Sequence, residues 1–386
     1  MQKSVMALGF LTALLPSHAV VASDDISLSG FGALVGGTVV DGDGYWARLP
    51  EAAGQYDSGV DFQTESRLGF QARYRATKEL SMTGQMMVRG INDYEPELEW
   101  LYASYNMTPD LTANVGRMRL PVYHYSDYMD VGIAYPWLRV PSDVYSLAVT
   151  NYHGASIQYN FDWDMGTTAF KIYAGQQHTD PNKLITTIEQ YKTEQLYDEK
   201  GRFIGVRDVR TTKDYEDMKG VVVDTSIDWF NLRLSYLQGK ENFTFYGEGD
   251  YPSTPLFSGG WTDTQFIDLS VSVDYENLFF IAEWNDYDAI YQSWFTSAAY
   301  RIGKWTPYLF YSTFEGELTS IGDPDKLDDQ YSSVGLGLGY NISSRLALKA
   351  EVTDFSDKGD APVFIDENRD GDTDATAFAV SVDFSF

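Results

Sequence analysis

Apolar side chains recur at every second residue in segment after segment of this chain, and that period of two limits the fold more than any other feature does. In 375–386, Phe378, Val380, Val382, Phe384 and Phe386 share one parity, while Ala377, Ala379, Ser381, Asp383 and Ser385 share the other. Successive side chains of a strand point to opposite faces, so this segment has one greasy face and one small, polar face. The segment 266–275 repeats it, with Ile267, Leu269, Val271, Val273 and Tyr275 against Asp268, Ser270, Ser272 and Asp274. So do 334–342, where Val, Leu, Tyr and Ile alternate with Gly and Asn, and 221–229. Alternation alone suits a soluble sandwich as well as a membrane barrel.

The connections separate the two. About 16 strand-like segments lie near 26–40, 61–76, 80–92, 97–106, 111–119, 151–161, 166–178, 220–229, 231–240, 265–275, 278–285, 291–302, 305–314, 331–342, 345–356 and 375–386. Links after even-numbered segments are short, such as Thr77-Lys78-Glu79, Thr108-Pro109-Asp110 and Glu276-Asn277. Links after odd-numbered segments are mostly long: 41–60, 120–150, 179–219, 241–264, 315–330 and 357–374, with 93–96 and 286–290 as short exceptions. Short turns on one side and long loops on the other are the mark of a membrane barrel. The expected fold is therefore all-β: a transmembrane, antiparallel, up-and-down β-barrel of about 16 strands with an inward-folded third loop. The link 179–219 is too long to lack structure, and 191–198 with 203–209 read as a hairpin projecting above the membrane.

Lys3, the apolar run 5–15, Pro16 and the small-residue sites Ser17-His18-Ala19 and Val20-Val21-Ala22 read as a cleavable export signal over 1–22. That leaves 23–386 as one barrel domain. Aromatics make up 15% of residues, with 28 Tyr and 9 Trp, enough for two interfacial girdles. There are no cysteines, which excludes disulfides and thiolate metal sites. With 28 basic and 56 acidic residues the net charge is −28, which argues against nucleic acid as a partner.

Two stretches carry a resemblance. One is the C-terminal strand 378–386, ending on Phe384-Ser385-Phe386; the other is Gly116-Arg117-Met118-Arg119-Leu120-Pro121, followed by Tyr123-His124-Tyr125-Ser126-Asp127-Tyr128-Met129-Asp130 and Tyr135-Pro136-Trp137-Leu138-Arg139. With them the mature chain resembles the Gram-negative outer-membrane porin superfamily, of the trimeric 16-stranded general type. The family's acidic Pro-Glu-Phe-Gly element is absent, which marks a divergent branch, and the short link 93–96 departs from the family's subunit-latching second loop. The resemblance implies an outer-membrane location, surrounding lipid and lipopolysaccharide, a homotrimer, and a barrel-assembly machinery that reads Phe384 and Phe386. It also implies that loop 120–150 folds into the lumen and forms the constriction.

A passive channel needs charges at its narrowest point rather than a catalytic group. The second segment sets Asp61, Gln63, Glu65, Arg67, Gly69, Gln71, Arg73 and Arg75 on its polar parity, and Arg89 follows Ser81, Thr83 and Gln85 on the next. Candidate constriction residues are Arg67, Arg89, Arg117, Arg119, Asp127, Asp130 and Arg139. Arginines facing loop carboxylates would set a transverse field; alternatively they pair with Asp61 and Glu65 and merely solvate a wall. Arg117 and Arg119 follow outward Val115, so the strand bends there or they pair with loop acids. The tract Asp366, Asn368, Asp370, Asp372 and Asp374 with Gly371 resembles the first part of a calcium loop, without the final bidentate glutamate. The other reading is an acidic, solvated loop that bridges lipopolysaccharide phosphates through divalent ions. No other cofactor is expected. His124, His153 and His178 stand in no catalytic motif, so an enzyme is not expected. The expected function is passive diffusion of small hydrophilic solutes or ions, with cation preference. The rivals are a channel selective for sugars or anions and a non-conducting structural or adhesive barrel.

Overall fold

A computed structural model describes residues 25–42, 46–47, 55–56, 59–92, 94–147, 149–178, 193–197, 203–247, 255–288, 290–319, 326–358 and 374–386. The chain folds into a closed antiparallel barrel of sixteen strands. They are β1 (Ile26–Asp41), β2 (Arg67–Arg75), β3 (Leu80–Arg89), β4 (Pro96–Asn106), β5 (Leu111–Arg119), β6 (Asn151–Trp163), β7 (Gly166–Gln177), β8 (Phe203–Ile227), β9 (Phe230–Gly247), β10 (Thr262–Tyr275), β11 (Leu278–Tyr287), β12 (Tyr291–Tyr300), β13 (Trp305–Thr319), β14 (Lys326–Ser343), β15 (Leu346–Asp357) and β16 (Ala375–Ser385). Each pairs with the next, and β1 pairs with both β2 and β16 to close the ring. At the seam Gly30 and Phe386 exchange both backbone hydrogen bonds at 2.9 Å. The Phe386 ring lies over Gly30, where a Cβ would sit 2.2 Å from it; only glycine admits the ring.

The alternation decides which face each residue takes. Leu269, Val334 and Leu336 are exposed on the outer surface, while Asp268, Ser270 and Asp383 are wholly buried inside. Among the described residues no helix is long and apolar enough to cross a membrane; the strands form the apolar belt instead. Tyr74, Tyr105, Trp229, Tyr275, Tyr300 and Trp305 stand about half exposed beside the short turns, as one interfacial girdle. The turns after β8 and β10 hold two residues each, and their first residues, Asp228 and Glu276, take φ of 42° and 52°. Tight hairpins favour that left-handed backbone because its twist matches the flanking strands.

The boundaries differ from expectation in two informative places. β2 begins at Arg67 rather than at 61, because the Asp61 carboxylate accepts the backbone N–H groups of Gln63 at 2.7 Å and Thr64 at 3.0 Å and holds a turn there. Glu65 is thereby lifted off the strand parity assigned to it. β8 starts at Phe203, not 220, and its upper part pairs with the strand Thr193–Tyr197. This is the expected hairpin, continuous with the barrel wall. The proposed export signal and Asp366, Asn368, Asp370 and Asp372 lie outside the described residues.

Candidate functional site in the lumen

The segment 120–150 between β5 and β6 is too apolar for a solvated loop. Leu120, Val122, Tyr123, Tyr125, Tyr135, Trp137, Leu138, Val140, Val144, Tyr145 and Leu147 are all buried. Burying one such side chain stabilises by roughly 1.5–3 kcal/mol, so the segment gains by turning inward and packing on itself and on the wall. Trp137 meets Phe295 edge to face at 5.0 Å, and Tyr123 meets Phe266 at 5.4 Å. The wall is ready for them: β11 to β13 carry Phe279, Ile281, Phe295, Tyr308 and Phe310 on their inner face.

Polar bonds then fix the loop against the far side of the barrel. The N–H of His124 donates to Glu283 at 2.8 Å, and the Tyr145 hydroxyl donates to the other oxygen of Glu283 at 2.9 Å. His124 Nδ1 also pairs with the Ser270 hydroxyl at 3.0 Å. Trp137 Nε1 donates to Ser297 at 2.6 Å, and Asn285 donates to the carbonyl of Val144 at 3.0 Å. Lys349 on β15 donates to the carbonyls of Gly132 at 2.6 Å, of Tyr135 at 2.9 Å and of Trp137. A Cβ on Gly132 would lie 1.9 Å from Asp383 on β16, so only glycine lets the loop approach so closely.

The near side is held by arginines. Arg89 reaches Glu97 at 3.2 Å, Glu99 at 3.1 Å and Asp130 at 3.0 Å. Arg119 reaches Glu99 at 2.9 Å and Asp130 at 2.8 Å. Arg67 donates to the Asp130 carbonyl at 2.9 Å and to the Tyr135 hydroxyl at 3.2 Å. Arg139 is gripped by Glu65 through two bonds, of 2.6 and 2.8 Å, and by Glu351 at 2.8 Å. Burial alone would raise the Asp130 carboxyl; Arg89 and Arg119 outweigh it and hold the group below the usual carboxylate range.

A family model described as Gram-negative porin matches residues 7–360. The chain belongs to the Gram-negative porins. No curated protein matches it closely enough to count as a relative. Among solved structures the porin is similar to OmpT of Vibrio cholerae with loop L8 deleted, at 12% identity and TM-score 0.54, covering 94% of this chain and 100% of that one. It is similar to an anion-selective porin from Comamonas acidovorans, at 14% identity and TM-score 0.54, covering 94% and 99%. It is also similar to the outer-membrane channel DcaP of Acinetobacter baumannii, at 8% identity and TM-score 0.55, covering 95% and 99%. At such identities the structures establish the shared barrel; the family match makes the protein an outer-membrane channel of a Gram-negative bacterium.

In this porin Arg67, Arg89, Arg119, Asp130 and Arg139 come together as the buried anchor of the loop. Arg117 does not join them. The β4–β5–β6 register sets it beside Leu101 and His153, on the outward parity, where it contacts His153 at 3.2 Å and donates to the Glu99 carbonyl at 3.2 Å. Asp127 stands apart, exposed with Tyr128 at the loop turn. It lies within electrostatic reach of Tyr102, Tyr152 and Arg233. A bulge opposite Gln85 turns both Glu99 and Trp100 inward, so that Arg119 lies over the Trp100 ring at 5.7 Å. Sequence reasoning missed the partners Glu99, Glu351 and Lys349 and the inward aromatics of β11–β13. The last had a signal: 278–281 and 308–311 are apolar on both parities, which a strand with lipid on one face and water on the other is not. Asp374, the described end of the acidic tract, is exposed just before β16.

Proposed function

We propose that this porin is a narrow diffusion channel for small hydrophilic solutes, cation-preferring, with its constriction between the turn of loop 120–150 and the β4–β9 wall. One observation carries the reading: Asp127 is exposed at that turn and has no basic side chain within ion-pair distance among the described residues. Arg89, Arg119 and Arg139 are each matched by carboxylates, so their field on a passing ion is largely cancelled, and Arg233 is paired with Asp224 at 3.0 Å. The breadth of the loop's contacts supports a small aperture rather than a wide one. Three such barrels side by side form the working unit, as the trimer form of Vibrio cholerae OmpT suggests. The Phe384–Phe386 strand is the part read during assembly, and 1–22 is the export signal.

The test is a planar-bilayer recording of the refolded porin in a KCl gradient. A reversal potential of cation-selective sign, abolished in Asp127→Asn, is expected. Anion selectivity, or no conductance from a membrane-inserted barrel, would overturn the reading.

A further inference from the structure

Asp268 on β10 and Glu283 on β11 point into the barrel, and they are 0% and 1% exposed. The register pairs Asp268 with Asn285 and Ser270 with Glu283, so the two acids are diagonal neighbours on one inner face. Diagonal partners stand about 7–8 Å apart at the backbone, within reach of a long side chain. The two carboxyl groups do meet as hydrogen-bond partners, with the Asn285 amide beside them.

The donors decide how the pair is charged. Glu283 receives one on each oxygen, the His124 N–H at 2.8 Å and the Tyr145 hydroxyl at 2.9 Å, both from loop 120–150. That pattern suits an ionised carboxylate. No donor among the described residues reaches either oxygen of Asp268 in hydrogen-bond geometry. Ser235, opposite it on β9, donates to the Val122 carbonyl, and Asn285 donates to the Val144 carbonyl. Arg233 on β9 faces the pair, but its terminal nitrogens are engaged by Asp224 at 3.0 Å and by the Pro121 carbonyl at 2.9 Å. The remaining titratable groups around the pair are neutral at pH 7: Tyr123, Tyr145 and His124 on the loop and Tyr291 on β12. Two buried carboxylates in contact, with no cation between them, cannot both be ionised. One proton resolves the conflict, because a protonated carboxyl donates its O–H to the other.

We propose that Asp268 and Glu283 share one proton, carried by Asp268, and that this acid pair is a pH-sensitive catch for loop 120–150. Glu283 holds the loop at His124 and Tyr145 while Asp268 is neutral. Losing the proton sets two negative charges in contact beneath the loop, and lifting the loop relieves them by letting water in. The seated loop thus holds a proton that the lifted loop gives up. Seating therefore weakens as pH rises, by up to about tenfold per pH unit.

The experiment uses the refolded porin in detergent, so its outcome is separate from whether the barrel conducts. Infrared spectra at pH 7 should show the carbonyl stretch of a protonated carboxylic acid that is missing from Asp268→Asn. Between pH 7 and pH 10, subtilisin cleavage within 120–150 should rise severalfold in the wild type relative to Asp268→Asn at the same pH, because the amide stays neutral and still donates to Glu283. That comparison leaves every tyrosine and lysine in place. If Asp268→Asn does not fold, Glu283→Gln, which removes the opposing charge, should give the same flat profile. No acid band in the wild type, or equal cleavage of wild type and folded variant at every pH, would overturn the catch. Cleavage governed by added calcium or a chelator at fixed pH would make a metal ion the bridge and overturn it too.

Discussion

The guanidinium of Arg119 meets the carboxylate of Asp130 at 2.8 Å, tying the middle of the inward loop back to the strand from which the loop departs. Arg89 closes on the same oxygen at 3.0 Å. Replacing Asp130 with Asn leaves both cations buried beside Glu99 with one carboxylate fewer, a loss of about 3–5 kcal/mol for a buried pair. The expected outcome is a folded barrel with a looser loop: higher current noise and larger single-channel steps than the wild type. Quiet, wild-type currents from Asp130→Asn would show that the tie does not hold the loop.

Arg139 presents the reverse case, one cation between two carboxylates. Arg139→Met strands Glu65 and Glu351 in the interior and should lower unfolding stability by about 3–5 kcal/mol. Adding Glu65→Gln and Glu351→Gln to that variant should restore most of the loss, because the uncompensated charges are gone. Urea unfolding in detergent, followed by heat-modified migration, reads both changes. Failure of the triple variant to recover would mean that packing, not charge, dominates at Arg139.

Asp127→Lys is expected to move the reversal potential toward anions while changing stability by no more than about 0.5 kcal/mol, as an exposed substitution should. A large stability loss would place Asp127 inside the anchor rather than at the aperture.

The loop also has a titrating group. Burial, followed by the nearby Arg233, pushes the His124 imidazole down to about 4, with Asp224 opposing. Glu283 and Tyr125 pack against it as well. Released from the lumen, His124 would regain its ordinary value of about 6.5. Between those values the released loop binds a proton that the seated loop does not, so seating weakens as pH falls from 6.5 to 4, by about 3 kcal/mol at the lower end. Open-channel noise should rise over that window, and His124→Gln should flatten the rise. An identical pH profile in the variant would assign the effect to another group.

At the seam, Phe386→Ala removes the ring that covers Gly30 and packs edge to face on Phe70 at 5.8 Å. A lower yield of heat-modifiable barrel in refolding is the expected result. Equal yields in vitro with reduced insertion in cells would trace the residue's importance to recognition during assembly.

The alternation of 266–275 and 375–386 made the barrel legible, because period two needs no tertiary information: a strand either has two faces or it does not. The inward loop was expected from the family resemblance alone, although its apolar content, eleven buried side chains between Leu120 and Leu147, is what holds it inside. The side-chain partners were not. Arg139 meets Glu65 and Glu351 at separations of 74 and 212 residues, and alternation fixes which face a residue takes, never which of many inward carboxylates it reaches. The start of β2 was misread for a local reason, since the Asp61 turn keeps the polar parity of a strand while leaving it. Arg117 followed its parity outward despite the φ of 137° at Gly116, whereas Arg119, two residues on, had already turned in.

A hollow ring of strands resists bending along its length and yields easily to being squeezed flat. Here the segment 120–150 runs as a spoke from Arg89 and Arg119 on one side to Glu283, Lys349 and Glu351 on the other. Lateral pressure from the bilayer must break that spoke before the cross-section can become oval, so the aperture keeps its calibre when the membrane around it thickens or tightens.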